Sequence, residues 1–314
     1  MMKQERNHLL AKVAYLYYEQ DYTQAQIAKE LGIYRTTISR MLKQARDQHI
    51  VEIHIQGMDT GLFNLEFQIK NKYHLQSVVV IASQAHDSHQ QKNQRLSQAA
   101  ALHLKQIIKP HDIVGFSWGS VLAGIVWQLH NPTKTDATFV PLVGGPSPSN
   151  SQYHVNGIVY DMARQFGGKS LFVDAAAVQE SKYVRDGIMN SHYFQEIRYD
   201  WDHLNIAMVG IGGPLSTQTS HWRDLLSVED EEMLRQREAI GDCCCTFFDR
   251  YGKILSGDLL DRTIAIPLDQ LQKADIRVGV ARSVTKVPAI KALLKMGTLN
   301  SLITDEETAQ RILA

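Results

Sequence analysis

Beyond about residue 58 the chain alternates short apolar runs with amphipathic helical stretches, and nothing else in it limits the possible folds as tightly. Ser77–Ala82, Asp112–Phe116, Thr138–Val143, Asn205–Gly210, Arg277–Ala281 and Ser301–Thr304 read as strands. Helical patterns at Asn93–Ile108, Ser120–Leu129, Val155–Phe166 and Lys286–Lys295 fall between several of them. Such a rhythm predicts an α/β domain with a parallel sheet covered on both faces and ligands at the C-terminal strand ends. The last helix carries its own start signal, Thr304-Asp305-Glu306-Glu307, expected to act as a capping box.

The first fifty-five residues follow a different pattern. Leu9, Leu10, Val13, Leu16 and Tyr17 recur at helical spacing. Thr23 offers an N-cap, with Gln26 placed to complete a capping box, for a second helix from about Gln24 to Leu31. Gly32 ends it, and a third helix is expected from about Arg35 to Gln48. Ala28 is small where helices would cross, Gly32 relieves the turn, and Ile38 is the buried anchor. With Ile27, Leu31 and Leu42 filling the other apolar positions, the segment reads as a helix-turn-helix. Ile50–Ile55 reads as a short strand, the wing of a winged variant. A turn-rich break at Gly57–Gly61 divides the chain into residues 1–57 and 58–314.

Charge decides what the third helix is for. The chain is neutral overall, with 33 Lys and Arg against 33 Asp and Glu, which argues against a general nucleic-acid coat. Yet Ile33–Arg46 holds Arg35, Arg40, Lys43 and Arg46 and no acidic residue, a bias suited to the phosphate-lined major groove. Arg35, Thr36, Thr37, Ser39 and Arg40, at the N-terminal end, are placed to reach base edges. Lys43 and Arg46 are expected on phosphate, and Gln24, opening the second helix, is counted with the DNA-facing residues.

The remaining composition removes other classes. No window approaches the roughly 18 apolar residues of a membrane span. The start, Met1–Arg6, lacks the apolar stretch of a signal peptide, so a cytoplasmic protein is expected. Cys243, Cys244 and Cys245 are adjacent and odd in number, whereas zinc sites need spaced ligands and disulfide frameworks need separated partners. They are expected to pack, with no metal or cofactor called for.

Two turns in the large domain break the structural pattern. Gly115-Phe116-Ser117-Trp118-Gly119-Ser120 lies where a strand becomes a helix, so backbone N–H groups and two hydroxyls suit an anion such as phosphate. At Ser283-Val284-Thr285-Lys286-Val287-Pro288, Thr285 is the expected cap and Pro288 suits a first helical turn. Lys286 then lies at the positive end of a dipole, unfavourable for a cation unless an anion joins it. Gly115–Gly119 also matches the nucleophile elbow of an esterase. That rival needs a later acid and then a histidine, and the last histidine is His221.

With these segments in view, the chain resembles the SorC family of bacterial sugar-responsive transcriptional regulators almost from end to end. The motifs are Tyr17–Asp21, Thr23–Ala28, Leu31–Arg40, Asp112–Gly119, Gly144–Ser147, Tyr153–Asn156, Val209–Gly212, Gly241-Asp242 with Phe247–Asp249, and Leu302–Asp305. The resemblance implies a winged helix-turn-helix joined to a Rossmann-like domain of the sugar-phosphate isomerase/deaminase type, kept for binding and not catalysis. It implies operator DNA and a sugar or sugar-phosphate effector as partners, with assembly as a dimer of dimers. Ser117, Gly119 and Ser120 would form one effector loop and Gly145 a second. His154 and Asn156 would face the sugar, Asp242 would accept from its hydroxyls, and Lys286 would meet an anionic group. Arg282 and Ser283 stand where many members have two glycines, and Thr246 where many have arginine. A sugar-phosphate isomerase with an added DNA-binding head, using Asp242 or His154 as acid-base residue, is the rival from another class.

Overall fold

The computed structural model describes residues 2–52, 59–84, 86–146, 153–216 and 225–314. It divides into two compact units, Met1–Met58 and Asp59–Ala314. In the first, α1 (Met2–Tyr18), α2 (Gln24–Leu31) and α3 (Arg35–Asp47) surround Leu10, Val13, Ala14, Ile27, Ile38, Met41, Leu42 and Ala45. The expected capping box is present, with the Gln26 N–H donating to Thr23 and the Thr23 N–H to Gln26 Oε1 at 2.9 Å. Gly32 closes α2 at φ 64°, a left-handed conformation that strains any residue with a Cβ, and its N–H donates to the Ala28 carbonyl. Ile50 and Val51 pack on this core but are not in a strand, and the rest of the expected wing, 53–55, lies outside the described residues.

The second unit begins with α4 (Thr60–Tyr73), capped by Asp59, whose Oδ1 accepts from the Gly61 and Leu62 N–H groups. It continues through β1 (Ser77–Ile81), α5 (His89–Ile107), β2 (Ile113–Phe116), α6 (Ser120–Gln128), β3 (Thr138–Pro141), α7 (Val155–Phe166) and β4 (Lys169–Ser170). Then follow α8 (Lys182–Met189), α9 (Gln195–Asp202), β5 (Ile206–Gly210), α10 (Val228–Gln236) and a hairpin of β6 (Gly241–Cys243) and β7 (Thr246–Phe248). Last come α11 (Asp258–Asp261), α12 (Leu268–Leu271), β8 (Ile276–Val280), α13 (Val287–Lys295), β9 (Ser301–Asp305) and α14 (Glu306–Leu313).

Among the described residues seven strands form one parallel sheet in the order β1-β9-β8-β5-β2-β3-β4. Side chains alternate between its faces. Ile206 and Met208 of β5 join Phe116, Phe139 and Val278 beneath α5, α6 and α7. Ala207 and Val209 point the other way, with Val78, Val140 and Leu302, toward α4, α9, α13 and α14. Both faces are therefore buried, which explains why the strands read as near-continuous apolar runs. After β2 the chain fills one side of the sheet through β3 and β4; from β5 it fills the other through β8 and β9. A crevice opens where strand order reverses, between β2 and β5.

Two caps differ from the expectation. Thr304 stays in β9 and Asp305 caps α14, its Oδ1 accepting from the Thr308 N–H at 3.0 Å; the strand holds one residue longer because Ile81 pairs with Asp305. Thr285 lies within a 3₁₀ turn, Val284–Lys286, so Lys286 itself is the N-cap of α13 and no side chain caps that end.

On α9, Asp200 is buried, and its Oδ2 has no hydrogen-bond partner among the described residues. Burial, reinforced by Glu196 and opposed by His203, pushes its carboxyl up to about 6. Because this pKa is raised on folding, the native state binds the extra proton. Stability is greatest while Asp200 is protonated and falls as pH rises through about 6. Asp200→Asn is expected to raise the melting temperature at pH 8, removing a penalty of about 2–3 kcal/mol, and to leave it nearly unchanged at pH 4. Thermal melts at the two pH values measure the difference, and equal shifts at both would exclude this ionisation as the cause.

Candidate functional site

In α3 the burial pattern separates two faces. Ile38, Met41, Leu42 and Ala45 are buried, whereas Arg35, Thr36, Ser39, Arg40, Lys43 and Arg46 are exposed and Thr37 is half-buried. The intended readers thus share a solvent face on a helix anchored by its opposite side. Gln24 is half-buried at the start of α2. Tyr34, not singled out from sequence, is the N-cap of α3, makes no side-chain cap and is 85% exposed. The first turn of α3 therefore keeps N–H groups without a side-chain acceptor, a geometry that suits a phosphate oxygen. The available signal was an aromatic residue at a cap position that normally favours Ser, Thr, Asp or Asn.

In the second unit, the β2–β5 crevice leads to a pocket lined by Ser117, Gly119, Ser120, Asp242 and Lys286, all expected from sequence. The Ser117 N–H donates to the Met208 carbonyl, and its buried Oγ accepts from the Gly210 N–H at 3.0 Å, joining the ends of β2 and β5. Gly119 has φ 140°, a conformation strained for other residues, and opens α6 toward the pocket without a side-chain cap. Asp242 reaches the pocket from β6 because Gly212 lacks a side chain: a Cβ there would meet Asp242 Oδ1 at 1.8 Å. Lys286 enters from the start of α13. Two helix N-termini, hydroxyls, a carboxylate and an ammonium thus converge at strand ends, a set able to hold an anion and a polyhydroxyl chain together.

The three other expected contacts do not line this pocket. The His154 ring lies against Gly145, its Nε2 2.3 Å from where a Cβ would be, and its Nδ1 accepts from the Asn156 N–H at 3.1 Å as the cap of α7. Burial pushes the imidazole pKa down and Asp174 opposes this, favouring the neutral ring that the cap requires. Asn156 donates to the Val173 carbonyl and to Asp174 Oδ1, and accepts from the Val173 N–H. Its amide is therefore spent on the loop after β4. Pro146 and Tyr153, from the segments bearing Gly145 and His154, do line the pocket.

Residues missed from sequence form an apolar wall of Trp118, Val143, Cys244 and Cys245. The Trp118 Nε1–H donates to the Gly144 carbonyl at 2.9 Å, which occupies the polar edge of the indole. The cysteines are buried as expected, yet Cys244 and Cys245 also face the pocket as the two-residue turn of the β6–β7 hairpin. Both have positive φ, 49° and 57°, where hairpins favour Asn-Gly. Burial pushes the Cys245 thiol well above its ordinary pKa, with Asp242 adding to the effect, so it is a neutral packing surface.

A basic reading helix in one unit and a strand-end pocket in the other define a DNA-binding transcriptional regulator with a ligand-binding domain. Comparison with known proteins agrees. The family described as "Putative sugar-binding domain" matches residues 59–314, and that described as "Sigma-70, region 4" matches residues 11–48. The sorbitol operon regulator of Klebsiella pneumoniae is 38% identical, with 97% of each chain aligned. Its full-length crystal structure superimposes with a TM-score of 0.78 over 98% of both chains. The deoxyribonucleoside regulator of Bacillus subtilis is 29% identical over 99% of both chains. The chain belongs to the SorC family of sugar-binding transcriptional regulators.

Proposed function

We propose that the protein is a cytoplasmic regulator of a sorbitol or L-sorbose operon, whose hold on operator DNA is set by a sugar phosphate in the β2–β5 pocket. One observation carries the phosphate: Ser283 keeps a glycine-like φ of 111° although it is not glycine. The turn before Lys286 thus has a backbone that glycine adopts freely, although Arg282 and Ser283 occupy it. Arg282 points away from the pocket, donating to Asn93 Oδ1 and the His89 carbonyl, both at 2.9 Å, and leaves Lys286 as the cation lining it among the described residues. Asp242 suits hydroxyl groups, and the indole of Trp118 suits the carbon face of a sugar.

Calorimetric titration with sorbitol 6-phosphate, sorbose 1-phosphate and the free polyols tests this reading. Lys286→Ala is expected to bind operator normally but to weaken the phosphorylated effector by about 10- to 150-fold, the loss of one charge-assisted contact. Equal loss for phosphorylated and free sugar would place Lys286 elsewhere than on the phosphate.

On the DNA side, Arg35→Ala is expected to cost about 1–3 kcal/mol of specific binding and to relax sequence preference, while Lys43→Ala weakens all sequences alike. Anisotropy titrations on operator and random duplexes distinguish the roles; equal losses for Arg35→Ala would remove it as a base reader.

The pocket serves binding and not turnover. The Ser117 hydroxyl is buried and accepts a backbone N–H, unlike the exposed nucleophile of an esterase elbow, and His154 is committed to its cap. Sugar-phosphate conversion that disappears in Asp242→Ala would favour the isomerase rival. Assembly as a dimer of dimers, with residues 1–57 as the DNA-binding part, would place paired α3 helices on half-sites a helical turn or a multiple apart. Light scattering of the purified protein measures the assembly.

A further inference from the structure

The effector loop and the helix leading from the DNA-binding unit are joined to opposite ends of one short rod. Ser283, three residues past Val280 at the end of β8, is held at φ 111°, and its N–H donates to Thr308 Oγ1 at 2.9 Å. Its own Oγ bonds Thr285 Oγ1 at 2.9 Å, so the strained turn carrying Lys286 is tied to α14 at its Ser283 end and braced within itself. Thr308 is fully buried in the first turn of α14, where its N–H also donates to the Asp305 cap at 3.0 Å. At the other end of α14, Lys72 Nζ donates to the Leu313 carbonyl at 2.9 Å and the Ile312 carbonyl at 3.4 Å. Lys72 belongs to α4, the first helix after the 53–58 segment. Between these ends, Ala309 and Ile312 share the core that holds Ile69 of α4. Glu66, on the same helix, accepts from the Val80 N–H at 2.8 Å, tying α4 to the edge strand β1.

We propose that Thr308 and Lys72 are positioning residues of the response: α14 transmits displacement of the Ser283–Lys286 loop to α4, and thereby to the DNA-binding unit. This rests on the pocket being the effector site. Ligation at Lys286 acts on a turn held away from its relaxed backbone. The Ser283 N–H passes a shift of that turn to the Thr308 hydroxyl, and α14, with eight residues capped at its N-terminus and clamped at its C-terminus, carries it as one body. The effector then favours one position of α4 over another, which is the differential binding that coupling requires.

The test uses the full-length protein with Thr308→Val, which keeps shape but loses the hydroxyl, Thr308→Ser, which restores it, and Lys72→Met. Hydrogen exchange without ligand is the first readout. Thr308→Val is expected to speed exchange of the Lys70–Leu75 amides about fivefold, with β2 and β5 unchanged and Thr308→Ser restoring protection. Operator anisotropy with and without sorbitol 6-phosphate is the second. Thr308→Val and Lys72→Met are expected to bind operator within about twofold of the parent without effector, and to reduce the effector-induced change at least about fivefold. Parent-like exchange at residues 70–75 in Thr308→Val overturns the relay, as does a full effector response in both variants. Should sorbitol 6-phosphate fail to alter operator binding of the parent protein, the effector reading fails, and the exchange result alone decides whether α14 links loop and helix.

Discussion

Gly212→Ala is expected to abolish the effector response while leaving operator binding intact. Its new Cβ would fall 1.8 Å from Asp242 Oδ1 and 2.8 Å from the carboxyl carbon. The Gly212 N–H donates to the Asp242 carbonyl at 2.9 Å and holds the two backbones together, so the carboxylate itself must rotate out of its place in the pocket. Overpacking of this kind costs about 1–3 kcal/mol, and a displaced carboxylate forfeits about 1.5–3 kcal/mol of charge-assisted hydrogen bonds to ligand. The first lowers folding stability, and the second amounts to a loss of roughly 10- to 150-fold in effector affinity. Gly187→Ala is the control, since a Cβ there meets nothing within 4 Å. Calorimetry with sorbitol 6-phosphate measures both, and parent-like affinity for Gly212→Ala would show that Asp242 does not touch the ligand.

Ile38→Ala is expected to do the converse. Ile38 is fully buried in a core of eight apolar side chains in the small unit, and truncating such a residue costs about 2–5 kcal/mol. A three-helix unit of this size has few kilocalories to spare. Operator binding should disappear and a low-temperature unfolding step should emerge, while effector binding by residues 59–314 persists. Scanning calorimetry with effector titration checks this; joint loss of both activities would mean that the two units unfold together.

Much of this was legible in the sequence because local signals and tertiary need coincided. The capping box at Thr23, the glycine at position 32 and the apolar spacing through Ile38 each report backbone requirements within a few residues. The strands of the large sheet were visible because burial on both faces makes them apolar throughout. What escaped depends on distant partners. His154 and Asn156 occur in a segment that reaches the pocket, but His154 Nδ1 is taken by the α7 cap and the Asn156 amide by Val173 and Asp174. No spacing in the sequence shows that competition. The Cys244–Cys245 turn packs, as its composition predicts, but its second role as pocket lining follows only once the hairpin lies against Gly212, after β5. Thr304 was misread as a cap because the pairing that keeps it in β9 comes from β1, more than 220 residues earlier.

That last pairing has a consequence for biosynthesis. β9 lies between β1 and β8, so the first strand of the sensor waits for nearly the last residues of the chain before it gains a neighbour. The three-helix head needs only local contacts and can fold as soon as it leaves the ribosome. For most of each synthesis cycle, then, a nascent chain carries a finished DNA reader attached to an unclosed receptor. A product truncated before Ser301 would keep the three-helix head but leave β1 and β8 without the strand that joins them.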